Sequence, residues 1–203
     1  TDPTPINAEL ADHVRDHAGG RDQVPPKAEE QTAAMGSISI MQTAPEQAAF
    51  LEMLVRLTGA MRALEIGTFT GYGAIRIARG LAPDGSLTCF ELDGERAAVA
   101  RANLDEAGVG EKVEIVVGPA IEGLRALPDE AAVDFAYLDA DKTGYPDYYE
   151  EIVRRLAPGG LLAIDNVLMG GRILDTDPDE GTAAMQILND RIMEDDRVDS
   201  VML

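Results

Sequence analysis

Leu64-Glu65-Ile66-Gly67-Thr68-Phe69-Thr70-Gly71-Tyr72-Gly73 decides the fold. Residues 63–66 form a short, largely apolar run that reads as a buried strand. Three glycines follow within seven residues, and residues 74–81 then carry Ile75, Ala78 and Leu81 at helical spacing, with Arg76 and Arg79 outside. Strand, glycine turn and helix together present backbone N–H groups to a ligand at the carboxyl end of a strand. The spacing narrows the ligand. A dinucleotide fingerprint runs G-x-G-x-x-G, whereas this turn runs G-x-x-x-G-x-G, with Phe69 where the second glycine belongs. Glu65, just before the turn, repels a pyrophosphate and suits a cationic ligand.

Strands and helices alternate downstream. Residues 86–92, 113–117, 133–138 and 161–164 read as strands two to five, and residues 198–203 as the start of a sixth. The intervening helices are 95–107, with Ala97, Ala98, Ala100 and Leu104 inward and Gly108 as the stop, then 121–127, 148–156 and 181–193. Pro158-Gly159-Gly160 ends the third of these. Upstream, Pro45 opens a helix with Thr43 as N-cap, Gly59 as C′ residue, and Phe50, Leu51, Leu54, Val55 and Leu57 as its apolar face; Glu46, Gln47 and Glu52 are its polar side. The alternation implies an α/β fold with a mostly parallel, doubly wound sheet. Residues 1–42 are less regular. A helix is expected over 7–18 and another over 27–36, separated by Gly19-Gly20 and Pro25-Pro26. His13 and His17 lie four apart, a possible metal pair, but without a third ligand they read as a solvated face.

The 203 residues suit one domain with a substantial core. No apolar run approaches the ~18 residues of a membrane span. Residues 1–10 are polar and show no secretory leader. The single cysteine, Cys89, allows no internal disulfide, so a cytoplasmic location is expected. Acidic residues outnumber basic ones 37 to 17, for a net charge of −20, which argues against nucleic acid as a partner. Only Lys27, Lys112 and Lys142 are lysines. A GC-rich genome accounts for that bias, with a salt-adapted surface as the second reading.

Glu91 closes strand two, where an acid accepts hydrogen bonds from ribose hydroxyls in nucleotide-binding α/β folds; the bland reading is a surface glutamate. Gly118-Pro119-Ala120 makes a small-residue turn after strand three, with room for an adenine. Asp139-Ala140-Asp141-Lys142 and Asp165-Asn166 follow strands four and five. If those strands are neighbours, Asp139, Asp165 and Asn166 form a hard oxygen set suited to Mg²⁺ or Ca²⁺. They could equally cap the segments that follow. Tyr145, Tyr148 and Tyr149 could stack on a planar substrate or pack in the core.

The glycine turn resembles the first motif of class I S-adenosylmethionine (SAM) methyltransferases. Its wording, with D-A-D-K and D-N-V-L in that order, is similar to the cation-dependent caffeoyl-CoA and catechol O-methyltransferases over about residues 43–203. The resemblance implies a Rossmann-like methyltransferase fold and methyl transfer from SAM to a phenolic hydroxyl of a catechol-like or caffeoyl-like acceptor. It implies Asp139, Asp165 and Asn166 as ligands of a divalent cation, Mg²⁺ first, with Ca²⁺ or Mn²⁺ as alternatives. Cofactor contacts would be Thr43, Gly67, Thr68, Gly73, Ala120 and Asp141, joining Glu65 and Glu91. Lys142 and Asp139 become the catalytic candidates, and Asp139 and Tyr148 the substrate contacts. By analogy, residues 1–42 form a helical appendage over the site of a single domain, with the α/β core at 43–203. A homodimer is expected. Three departures stand out. Gly73 replaces the usual Ser, Met169 replaces a Trp near the acceptor pocket, and the core is expected to be short of a last antiparallel strand. The rivals are an NAD-dependent oxidoreductase, disfavoured by Phe69 and the glycine spacing, and a SAM- or metal-binding protein without catalysis.

Overall fold

A computed structural model of the protein describes residues 6–17, 32, 36, 41–129 and 132–203. Helix α1 (Ala8–His17) is followed by α2 (Pro45–Thr58), then β1 (Arg62–Ile66), α3 (Tyr72–Gly80), β2 (Ser86–Glu91), α4 (Gly94–Glu106), β3 (Val113–Val117), α5 (Ala120–Ala126), β4 (Val133–Leu138), α6 (Tyr145–Val153), β5 (Leu156–Ile164) and α7 (Glu180–Glu194). The five strands pair in the order β3-β2-β1-β4-β5, all parallel. Strand order therefore reverses at β1, and the crevice beside its carboxyl end is where such sheets take ligands.

Alternation along each strand builds two cores. Ala63, Leu87, Cys89, Phe135 and Tyr137 face α2, α3 and α4, while Leu64, Ile66, Phe90, Ala136 and Leu138 face α5, α6 and α7. Each fully buried leucine or phenylalanine contributes ~1.5–3 kcal/mol. Capping fixes where the helices start. Asp93 accepts from the Glu95 and Arg96 N–H groups at 2.8 and 3.1 Å, and Asp179 from Thr182 N at 2.7 Å.

Several expectations need correction. Residues 198–203 form no strand: they join no ladder, and Leu203 is 89 % exposed. A strand exists through its hydrogen-bonded neighbour, and no described segment supplies one there. The N-cap of α2 is Ala44, without a side-chain bond, rather than Thr43, whereas Gly59 does end the helix in the left-handed region at φ 63°. Phe50 and Leu57 point to solvent, and so does Ala98 on α4, where Asn103 is buried instead. The Asn103 Nδ2 donates to Thr70 O at 2.9 Å and ties α4 to the glycine turn. Arg76 is buried, its charge met by Glu52 at 3.0 Å, so the polar side of α2 partly faces inward. Helix α6 starts at Tyr145 with Pro146 in its first turn. Pro158-Gly159-Gly160 lies in an irregular opening of β5, where pairing jumps from Val133↔Leu156 to Phe135↔Leu161. His13 and His17 stack at 4.0 Å on an exposed face, and no group of three His, Cys, Asp or Glu side chains among the described residues is arranged for a metal. The helix expected over 27–36 lies largely outside the described residues.

Candidate active site

A cavity of about 750 Å³ opens at the carboxyl ends of β1, β2, β4 and β5. It is lined by Thr43, Gly67, Thr68, Gly73, Glu91, Ala120, Asp139, Asp141, Lys142, Tyr148, Asp165 and Asn166, so every expected site residue except Glu65 reaches it.

The β1 side is built mainly from backbone. Gly67 (φ 92°) and Gly71 (φ 87°) turn the chain through the left-handed region, and Phe69 joins them at φ 52°. A Cβ on Gly67 would collide with the Asp139 carbonyl oxygen, so only glycine lets the turn lie against the exit of β4. Glu91 is buried, and its carboxylate accepts from Phe69 N at 2.7 Å and Asp93 N at 3.0 Å. Two fixed donors hold it rigidly at the cavity wall. The Arg96 guanidinium lies 5.5 Å above the Phe69 ring.

Glu65 lies beneath this floor, 1 % exposed. Burial pushes its carboxyl up to about 8, helped by Asp139 and Glu91 and opposed by the neighbouring Thr68 hydroxyl and by the Cys89 thiol, which donates to it at 3.4 Å. In the free protein near neutrality it is thus mostly protonated, rather than the full anion expected from sequence. Burial, then Glu65, pushes the Cys89 thiol up, so it stays protonated. A Cβ at Gly73 would stand 2.6 Å from Glu65 Oε1 and 3.3 Å from Thr43 Oγ1. Glycine here leaves the buried carboxyl its place.

The β4–β5 side is built from side chains. Lys142 Nζ donates to Asp139 Oδ1 at 2.9 Å and to Tyr145 Oη at 2.6 Å. Asp139 is held above the usual carboxylate range, first by burial and then by Asp165, with Lys142 pulling the other way. Asp165 takes its place through Asp165 N donating to Leu138 O at 3.0 Å, and its Oδ1 accepts from Asn166 N at 2.7 Å. Asn166 adopts φ 59° at this corner. Tyr137 Oη lies 3.4 Å from Asp139 Oδ2 and 3.3 Å from Asp165 Oδ2. Burial, followed by these two acids, pushes the phenol pKa far up. Two carboxylates, an amide and one lysine leave net negative charge in hard oxygen donors, a set that fits a divalent cation.

Asp141 accepts from Gly144 N at 3.1 Å and from Tyr148 Oη at 2.7 Å, so it caps the following turn while still lining the cavity. Of the three tyrosines only Tyr148 lines it. Tyr145 is enclosed in the core, and Tyr149 donates to Asp195 at 2.9 Å away from the site. Met169 is buried under α7 and does not line the cavity. Sequence reading missed Tyr137 and Gln47, whose Nε2 donates to Tyr137 Oη at 3.2 Å. Strand alternation held the signal for Tyr137, two residues before Asp139 and so on the same face.

The O-methyltransferase family matches the chain over residues 23–203. Catechol O-methyltransferase of Niastella koreensis is 40% identical over 150 residues, 73% of this chain and 66% of that protein. Caffeoyl-CoA O-methyltransferase 2 of Zea mays is 33% identical over 178 residues, 81% of this chain and 67% of that protein. Among solved structures, the O-methyltransferase TomG of Streptomyces achromogenes, in complex with SAM, superposes with a TM-score of 0.84 at 33% identity, covering 92% of this chain and 85% of that one. The oxidoreductase reading falls with these matches. The glycine turn, the acidic strand ends and the sheet order all agree with them: the chain belongs to the O-methyltransferase family and is a SAM-dependent enzyme with its Rossmann-like fold.

Proposed function

We propose that the protein transfers the methyl group of SAM to a phenolic hydroxyl of a catechol-like or caffeoyl-like small molecule, with a divalent cation, Mg²⁺ first, at Asp139, Asp165 and Asn166. The observation that carries this reading is the convergence of Asp139 and Asp165 on one hydroxyl, in the same cavity as the glycine turn and Glu91. Glu91, with both oxygens already accepting one backbone N–H each, keeps lone pairs for ribose hydroxyls. Gly67 and Thr68 line the cavity with backbone, Thr43 and Gly73 border the methionine end above Glu65, and Ala120 leaves space for the base. Asp141 faces the same cofactor side.

A free phenol, with a pKa near ~10, is a poor nucleophile at neutral pH. A divalent cation held by the three oxygen ligands would supply the charge that lowers that pKa, and would align two adjacent acceptor oxygens. Lys142 Nζ adds a second cationic donor beside Asp139, placed to stabilise the phenolate. Tyr148 borders the acceptor side. Methyl transfer is an in-line displacement, so the chain's main task is positioning.

We further infer a single domain over 1–203, cytoplasmic and assembled as a homodimer. Phe50, Met53 and Leu57 support the dimer by giving α2 an exposed apolar stripe. The net charge of −20 supports the absence of a nucleic-acid partner, and no helix among the described residues is long and apolar enough to cross a membrane.

The test is a methyl-transfer assay with a catechol panel. Turnover should stop in excess chelator and return with Mg²⁺, and Asp165→Ala should lower it about a thousandfold while the affinity for the product cofactor stays within a few-fold. Full activity of Asp165→Ala in chelator would mean that the carboxylates are structural. Cofactor binding without turnover on any catechol would favour the non-catalytic reading.

A further inference from the structure

Tyr137 is 1 % exposed, yet its hydroxyl is the meeting point of several polar side chains. Two of them are anions. Asp139 follows it by two on the same strand, so both side chains stand on one face of the sheet. Tyr137 also pairs in register with Ala163 of β5, and Asp165 lies two residues beyond that partner. The register thus brings a carboxylate from each strand end to the same phenol, at 3.4 and 3.3 Å. From the other side, Gln47 of α2 donates its amide to the phenol oxygen at 3.2 Å. That bond occupies a lone pair and leaves the single phenolic proton for the two carboxylates. Phenylalanine would fill the same apolar space between α2 and the sheet, so packing alone does not require the hydroxyl.

We propose that Tyr137 is a positioning residue for the cation: its hydroxyl, anchored by Gln47, lies between Asp139 and Asp165 and holds the two carboxylates in the converged arrangement that a divalent ion requires. This rests on the cation reading given above. Two carboxylates without a bridging donor repel each other and turn apart, and the ion must then reorder them on binding. Partners that orient metal ligands in this way typically change metal affinity tenfold or more.

The experiment is a Mn²⁺ titration, read by the electron paramagnetic resonance of the free ion, with no cofactor or acceptor present. Wild type, Tyr137→Phe and Gln47→Leu are compared. Wild type should bind one ion. Tyr137→Phe should bind it about tenfold more weakly, and Gln47→Leu about threefold, with S-adenosylhomocysteine affinity by calorimetry unchanged within twofold in both. If wild type binds no Mn²⁺, the cation reading itself fails, and this proposal with it. If wild type binds and Tyr137→Phe binds as well or better, the cation reading stands and the role of Tyr137 is overturned. A parallel loss of S-adenosylhomocysteine affinity and melting temperature would make Tyr137 a packing residue, which also overturns it. Should Tyr137→Phe not fold, the Gln47→Leu titration decides by itself: unchanged Mn²⁺ affinity refutes the anchor.

Discussion

The two halves of the cavity are made of different material. Beside β1 and β2, the wall is backbone: two glycines and Phe69 at positive φ, and a glutamate pinned by two main-chain N–H groups. Beside β4 and β5, the working groups meet through side chains, with Lys142, Asp139, Tyr137 and Asp165 in one hydrogen-bonded set. A backbone wall is specified by volume and is broken by adding atoms. A side-chain cluster is specified by charge balance and is broken by removing charge. The halves touch where Gly67 lies against the Asp139 carbonyl.

That contact carries the largest expected effect. Gly67→Ala adds a methyl where there is no room and where φ is 92°, so strain and collision act together. The cost is on the order of 3–4 kcal/mol. Melting temperature, S-adenosylhomocysteine affinity and Mn²⁺ affinity should all fall, because the displaced turn moves both walls. Loss of cofactor binding with intact Mn²⁺ binding would show that the halves are independent.

What was legible in the sequence follows the same division. Glycine spacing, strand alternation and acidic strand ends are local signals: they placed the turn and the five strands of the sheet, and every expected site residue but Glu65 lines the cavity, whereas Met41, Gln42, Leu92 and Arg96, which also line it, carry no such signal. Helix α2 was misread because its pattern is not local. Phe50 and Leu57 extend a helical apolar stripe, yet they face outward, whereas Gln47 and Glu52 turn inward to reach Tyr137 and Arg76. Those partners lie 90 and 24 residues away, beyond any helical period. The charge on Glu65 was misread for a related reason. Sequence shows an acid before a turn, but the depth of burial that keeps its proton depends on the packed helices above it.

Glu65 tests the backbone half by titration. In the folded protein its carboxyl holds a proton up to about 8, whereas unfolded it releases it near 4.5. The folded pKa is the higher one. Stability from this group is therefore full below about 4.5 and is lost as pH rises from there to about 8. Glu65→Gln mimics the neutral form throughout. Its unfolding free energy should match that of wild type near pH 4 and exceed it increasingly toward pH 8, by an amount on the order of 4 kcal/mol, read from denaturant melts at each pH. Parallel curves for the two proteins would mean that Glu65 is solvated.

Lys142 tests the side-chain half and carries the smallest expected effect. Its Nζ bonds both Asp139 and the enclosed Tyr145 hydroxyl, so it neutralises one of the two acids and sits beside the place proposed for the acceptor. Lys142→Ala removes a positive charge from each of these roles, and they pull in opposite directions. Turnover at pH 7 should fall about tenfold, since the phenolate loses a stabilising donor. The deficit should shrink toward pH 9–10, where a phenol of pKa near ~10 ionises with less help. Mn²⁺ affinity should rise, because Asp139 no longer shares its charge with an ammonium group. A variant that loses turnover equally at every pH while binding Mn²⁺ more weakly would assign Lys142 to holding Asp139 in place. A variant that divides as described, slower at neutral pH yet tighter for the ion, would place its charge at the acceptor and mark the β4–β5 half as the part of the cavity governed by charge balance.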